Sequence, residues 1–350
     1  MSGAVPYVEL HAHSAFSFLD GASTPQELAG AAAALGYPAF ALTDHDGVWG
    51  SMEFAHACKG LGLRPIVGAE LSVVPEADGP PPSPAGPSPR RPRGPRTFHV
   101  TLLVEERRGW RSLCRLLTAA HARTRDNPAR AATPPAVPLP LLEEHAEGLV
   151  CLSGCARDGA LAGAWERGDT ATGERLARRL LAAFGRDRFR VELQRPYWRR
   201  DRARNRWLAL LAERLGVPTV ATGNVHSHDR RRARLQDALV AVGLGETLES
   251  SEPRRRGNSS SALAPPAAMA ARFAEHPEAV AETVRLAERL RFDLTEELGY
   301  RYPGSESPGA DAELAAVCRA RLAERYAGSP RLAEAEGRLE AELATIRRLG

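Results

Sequence analysis

Two histidines separated by one residue open the chemistry of this chain. In YVELHAHS, residues 7–14, a strand would place Glu9, His11 and His13 on one face and Val8, Leu10 and Ala12 on the other. Imidazoles at i and i+2 near a strand end can grip one metal ion together. Similar residues follow other short apolar runs. TDHD places His45 after a second strand, GAE places Glu70 near the end of a third, LSGC places Cys155 after a fifth, and GNVH places His226 after a seventh. His99 fits less neatly, because it begins its apolar run and needs a distorted strand to join the others. Imidazoles mixed with a carboxylate and a thiol suit zinc, manganese or iron better than magnesium alone. More than four such ligands implies more than one ion, and closely spaced ions serve phosphate-ester hydrolysis. The competing reading is that these polar groups only hydrogen-bond loops together.

The positioning elements alternate. Strands are expected at 7–12, 39–43, 66–71, 98–104, 148–153, 189–194 and 218–222, with helices at 24–35, 106–124, 170–184 and 201–215. Thr24 and Pro25 form a helix start. Strand–helix alternation predicts parallel strands, and seven of them suit a barrel, whose chemistry sits at the C-terminal strand ends. From about residue 262 the pattern is helical only, with candidates at 267–274, 277–291 and 311–348. A Pro-rich insertion over 75–97 holds nine of the 27 prolines and should be flexible, 126–140 is a second Pro-rich connection, and 250–261 reads as a polar loop.

Composition bounds the class. Of 350 residues 43% are hydrophobic and 26% charged, which excludes global disorder. No apolar run reaches membrane-spanning length, and the N-terminus lacks a signal-peptide pattern. Five cysteines without a CxxC pair point to a reducing cytoplasm. Residues 1–75 carry seven acids and two bases, whereas residues 186–234 carry fourteen arginines against five acids. Such a basic block is compatible with phosphate-backbone contact and equally with a solvated helix face. Arginines beside Tyr197 and Trp198 leave the same two readings open.

HAHSAFSFLDG, TDHDGVWG, GAEL, LSGC and ATGNVH together resemble the PHP (polymerase and histidinol phosphatase) superfamily, in the form found at the N-terminus of bacterial DNA polymerase III α subunits. HSHDRRRARLQDALVAVGLGETL and NSSSALAPPAAMAARFAEHPEAVAETVRLAERLRFDLTEELGYRYP resemble the error-prone, damage-associated branch. The resemblance implies an α/β fold: a PHP-type distorted (β/α)7 barrel over 1–285, then a helical extension over 286–350 leading to an absent polymerase palm. It implies a metal cluster at His11, His13, Asp20, His45, Glu70, His99, Cys155, Asn224 and His226, holding up to three zinc, manganese or iron ions. Asp20 and position 224 enter through the resemblance alone. Error-prone DNA synthesis and repair would belong to the parent polymerase, with magnesium at its own site. DNA, a sliding clamp and other replication or translesion components are the implied partners, with no membrane. The domain itself would be a phosphoesterase, 3′–5′ exonuclease-like, or a degenerate remnant of one. A stand-alone histidinol-phosphatase-like enzyme and a non-catalytic structural domain are the alternatives.

Two departures stand out. Position 224 is asparagine where such clusters usually carry aspartate, and an amide oxygen is a neutral, poorer ligand. The polymerases are also far longer, and the only Asp-x-Asp here, Asp44–Asp46, belongs to the metal motif.

Overall fold

Short apolar runs, each bounded by a turn or a helix start, build seven strands: β1 (Ala39–Leu42), β2 (Arg64–Val74), β3 (Phe98–Val104), β4 (Val137–Pro138), β5 (Leu149–Leu152), β6 (Phe189–Gln194) and β7 (Thr219–Thr222). They are seen in a computed structural model that describes residues 6–75, 97–122, 124, 134–298 and 308–349. The flexible insertion expected over 75–97 lies, apart from its two end residues, outside the described residues, as does most of the Pro-rich connection 126–140. Two compact units form, Met1–Leu298 and Gly299–Gly350.

The sheet runs β1-β2-β3-β5-β6-β7, with β4 paired to β2 on the side. It is not wholly parallel as the alternation predicts. β3 runs antiparallel to both neighbours, pairing Glu70 with Thr101 and Ser72 with His99 on one side, and Thr101 with Leu152 on the other. Nor is 7–12 a continuous strand. Glu9 bridges Phe40 and Ala12 bridges Val225, while Ala41 N and Thr43 N donate to the carbonyls of Glu9 and Ala12 at 2.9 and 2.7 Å. On the other side His13 N donates to Val225 O and Val225 N to His11 O, at 2.8 and 3.0 Å. This segment therefore joins the β1 and β7 edges and curls the sheet into a barrel.

Alternation sorts two cores. Phe40, Leu42, Leu71, Val73, Leu102 and Val191 face outward and pack with Leu28, Phe54, Leu116 and Leu180 of the surrounding helices. Inside, Val8, Leu10, Ala41, Ile66, Leu103, Val150 and Val220 meet Leu286 and Leu290, the latter closing helix Pro277–Arg289. That helix plugs the N-terminal end of the barrel, so the polar interior is left to the opposite rim.

Local rules account for the helices. Thr24 caps Pro25–Ala34 with a full capping box, its hydroxyl accepting from Glu27 N while the Glu27 carboxylate accepts from Thr24 N. Helix Arg107–His121 starts against the turn before β5, where a Cβ on Gly109 would lie 1.8 Å from the Gly148 carbonyl oxygen. In the second unit the helix expected over 311–348 is two, Ala310–Arg325 and Leu332–Leu349, broken where Gly328 adopts φ +72° ahead of Pro330. Among the described residues no helix is long and apolar enough to cross a membrane.

Candidate metal centre

Six elements bring their ends to one rim. His11 and His13 come from the segment that joins the barrel edges, and His45 lies past β1 in an isolated bridge to Glu70. Glu70 is on β2, His99 on β3, Cys155 past β5, and Asn224 and His226 past β7. His99 reaches this rim because β3 is reversed: the start of an antiparallel strand lies beside the ends of its parallel neighbours. The shared face expected for Glu9, His11 and His13 does not form. Val8 and Leu10 point into the barrel core, His11 and His13 turn to Glu70, and Glu9 instead accepts from Tyr7 OH and Gly223 N at 2.8 and 2.9 Å. The two-residue alternation changes phase after Leu10.

Glu70 sits at the centre, fully buried. Its Oε2 lies 2.6 Å from His11 Nε2 and 3.8 Å from His13 Nε2; its Oε1 lies 3.3 Å from His45 Nδ1 and 2.5 Å from His99 Nδ1. Neither carboxylate oxygen makes a proper hydrogen bond to any of them. His11 and His13 also face each other through Nε2 atoms 3.0 Å apart. Cys155 Sγ stands 3.9 Å from His99 Nδ1. Asp20 Oδ2 bridges the far side, 3.3 Å from His45 Nε2 and 3.0 Å from His226 Nε2.

Three overlapping groups have ligand atoms close enough to share an ion: His11, His13 and Glu70; His45, Glu70 and His99; His13, His45 and His226. Tautomers support the fit. His11 Nδ1–H donates to Glu192 Oε1 at 2.7 Å, and His226 Nδ1–H donates to the Asn224 carbonyl at 2.9 Å. Each bond fixes the ring with Nε2 turned toward a carboxylate, and metal-binding imidazoles commonly show such a supporting bond from the other nitrogen. Asn224 Oδ1 is likewise buried without a partner.

The field at the site is mixed. Burial pushes the Glu70 carboxyl up, but His99, His45 and His11 outweigh it and hold it well below the carboxylate range. Asp20 is held low in the same way against its burial, by His226 and Arg256. Burial, with Arg256 and His45 nearby, pulls His226 down to about 4, which keeps it neutral and able to ligate.

Several contributors carry no ligand motif. Glu192 and Gln194 alternate with apolar neighbours along β6, and that alternation in FRVELQ is the signal that could have found them. Gln194 Nε2 donates to Glu192 Oε1 at 2.8 Å, and its Oε1 accepts from Ala156 N at 2.9 Å, fixing the loop that carries Cys155. Asp44 accepts from Ser14 N and from the Ser14 and Ser17 hydroxyls at 2.6 to 2.8 Å, and Asp46 from Ser72, so the two aspartates of TDHD shape loops. His121 donates to the Asp46 carbonyl at 2.7 Å, and His228 pairs with Ser23. Arg256, from the segment that reads as a polar loop, reaches Asp20 at 3.2 Å and contacts His226.

Above the ligands lies a cavity of about 380 Å³. Its lining includes Arg157, Arg254, Arg255 and Trp198 together with Phe18, Leu19, Val240 and Leu244. Phe18 is 83% exposed at the mouth.

Comparison with known proteins matches residues 9–196 to the PHP domain family. The chain is 36% identical over 357 residues to an error-prone DNA polymerase of Symbiobacterium thermophilum, covering 98% of this chain and 30% of that protein. It is 37% identical over 350 residues to one of Mycolicibacterium paratuberculosis, covering 99% of this chain and again 30% of the relative. The chain thus spans under a third of the length of the curated relatives it matches. Among solved structures, an amidohydrolase from Chromobacterium violaceum with bound sulfate and no metal aligns at TM-score 0.44 and 20% identity, over 63% of this chain and 87% of that one.

Proposed function

This chain belongs to the PHP domain family, and from that premise we propose that it is the phosphoesterase portion of an error-prone DNA polymerase, with a divalent-metal centre at its barrel rim. The observation that carries the reading is Glu70, a buried carboxylate ringed by the nitrogens of His11, His45 and His99 at 2.5 to 3.3 Å under an arginine-lined cavity. Zinc, manganese or iron fits this imidazole-rich donor set. His11, His13 and Glu70 would hold one ion and His45, Glu70 and His99 a second, with Cys155 beside His99; Asp20, Asn224 and His226 complete the far side. Such ions, when bound, supply Lewis-acid activation of water and neutralise charge at phosphorus.

The chain's own residues set the rest. Glu192 orients His11, Ser17 Oγ links the His13 ring to the His45 backbone, and the arginines of the cavity draw a phosphodiester to the mouth. The exposed Phe18 and its apolar neighbours offer a surface on which a terminal base can stack. DNA is therefore the expected partner and 3′–5′ exonuclease-like hydrolysis the expected chemistry, in the cytoplasm. Clamp and translesion partners are expectations for the whole polymerase. Identity that continues through 98–99% of this chain, past the barrel, favours this over a stand-alone phosphatase.

The test is hydrolysis of 3′-labelled single-stranded DNA and of nitrophenyl phosphate by the purified chain, with and without manganese or zinc. Metal-dependent turnover that His11→Ala removes is the expected result. Metal bound without turnover of either substrate would replace this reading with a structural domain of the polymerase.

A further inference from the structure

Segment 250–261 is fastened over the metal centre at several points. Trp198 Nε1–H donates to the Arg256 carbonyl at 3.1 Å, and Arg157 donates to the carbonyls of Arg254 and Arg255 at 2.6 and 3.1 Å. Asn258 Nδ2 and Ser260 Oγ both donate to the Pro196 carbonyl at 2.9 Å, and Arg255 is tied sideways to Asp237 at 2.7 Å. So anchored, the backbone delivers the Arg256 side chain, 17% exposed, down into the cavity. Its Nη2 lies 3.4 and 3.2 Å from the two Asp20 oxygens and touches His226 Nε2. Because His226 Nδ1–H is committed to the Asn224 carbonyl, Nε2 offers a lone pair, and the guanidinium donates to it. One side chain thus engages two side chains, Asp20 and His226, that would otherwise be metal ligands.

The halves of the centre differ in charge accordingly. Around Glu70 the neighbours are imidazoles from His11, His45 and His99. The outer half, framed by Asp20, His45 and His226, has one carboxylate, which also accepts from Gln236 Nε2 at 3.0 Å, and a neutral amide at 224. A dication entering there must displace a cation that Asp20 already neutralises, or face it at close range.

We propose that Arg256 is a built-in cation of this site: its guanidinium takes the Asp20–His226 position in place of a metal ion, while divalent cations bind around Glu70. This inference rests on the metal-centre reading above and narrows it from three ion positions to two. Arg256 then does by hydrogen bonding what an outer ion does by coordination, holding Asp20 and His226 together.

Ion counting tests it. Chelator-stripped full chain, as wild type and as Arg256→Met, is loaded with manganese, freed of unbound ion and counted by plasma mass spectrometry, with circular dichroism to verify folding. Methionine keeps much of the length and drops the charge. We expect one more ion per chain in Arg256→Met than in wild type, and the wild-type count again in Arg256→Met with His226→Ala. Equal, non-zero counts in wild type and Arg256→Met overturn the role of Arg256 alone. Zero in both overturns the metal centre and this inference with it. Should Arg256→Met fail to fold, wild-type crystals soaked in manganese decide. Anomalous density beside Glu70 with Arg256 still on Asp20 supports the proposal, and density between Asp20 and His226 with Arg256 displaced overturns it.

Discussion

Replacing Glu192 with glutamine should weaken metal binding while destabilising the fold only modestly. The Glu192 carboxylate accepts from His11 Nδ1 at 2.7 Å, from Gln194 Nε2 at 2.8 Å and from the Thr222 hydroxyl, while its second oxygen has no hydrogen-bond partner. Glutamine keeps the shape and one acceptor oxygen but loses the charge. Hydrogen bonds to charged groups contribute about 1.5–3 kcal/mol and neutral ones about 0.5–1.5 kcal/mol. The His11 bond therefore weakens by about 1–1.5 kcal/mol, which is roughly tenfold in affinity. His11 also becomes a less basic ligand, and changes to such supporting carboxylates commonly cost about 10–100-fold. The expected loss in manganese affinity is thus about 10–100-fold. The stripped protein contains the same bond, so it should lose about 1–1.5 kcal/mol of stability and little more, because an unpartnered amide nitrogen replaces an unpartnered oxygen. Isothermal titration with manganese and denaturant unfolding of the chelated protein measure the two effects separately. Unchanged affinity together with a stability loss above about 2 kcal/mol would make Glu192 a structural carboxylate and refute the argument.

Other outcomes follow from the same geometry. His11→Ala with His13→Ala removes two of the three ligands in one group and should strip most bound metal by elemental analysis; unaltered metal content would mean the ions bind elsewhere. Asn224→Asp adds a charge where Oδ1 is buried without a partner, at a φ of +49° that aspartate tolerates. In the Arg256→Met background, where an ion can enter beside residue 224, this change should raise metal affinity by about tenfold or more, with faster nitrophenyl phosphate hydrolysis, and equal affinity with and without it would show the amide to be an adequate ligand. Gly109→Ala forces a methyl group against the Gly148 carbonyl and should cost at least about 1–3 kcal/mol in denaturant unfolding, with metal content per folded chain unchanged.

Residues at the ends of parallel strands were the most legible. His45, Glu70 and His226 follow apolar runs directly, and the barrel rule then names their rim. Strand direction is different, since a two-residue period reads the same both ways. FHVTLLV declares a strand, and only its pairing with β2 and β5 shows that His99 starts at the rim. Segment 7–12 misleads for a related reason. Its alternation is regular as text, but the backbone changes phase after Leu10 so that hydrophobic Leu10 and ligand His11 both serve the interior. Glu192 was readable, as a buried-strand carboxylate between the apolar Val191 and Leu193, whereas Arg256 was not. Its reach depends on where Trp198, Pro196 and Arg157 hold a distant loop, and no local pattern encodes that path. The break in 311–348 was readable from Gly328 and Pro330.

The reversed strand also explains how a long insertion coexists with a crowded metal site. β2 has eleven residues against four in β1, so it overshoots the rim, and its last residues pair with the start of β3 and with β4. Val73 lies opposite Phe98, which brings residues 75 and 97 to neighbouring positions at the tip of an antiparallel pair. A connection closed by such a pair can lengthen cheaply, because each doubling of loop length costs only about 0.6 kcal/mol. A parallel β3 would need its connection to cross the barrel instead. It would also carry His99 to the plugged end, about 17 Å away over five residues at roughly 3.4 Å each. One antiparallel turn thus does two things. It supplies the fourth imidazole within reach of Glu70, and it places the Pro-rich insertion where its length leaves the ligand positions undisturbed.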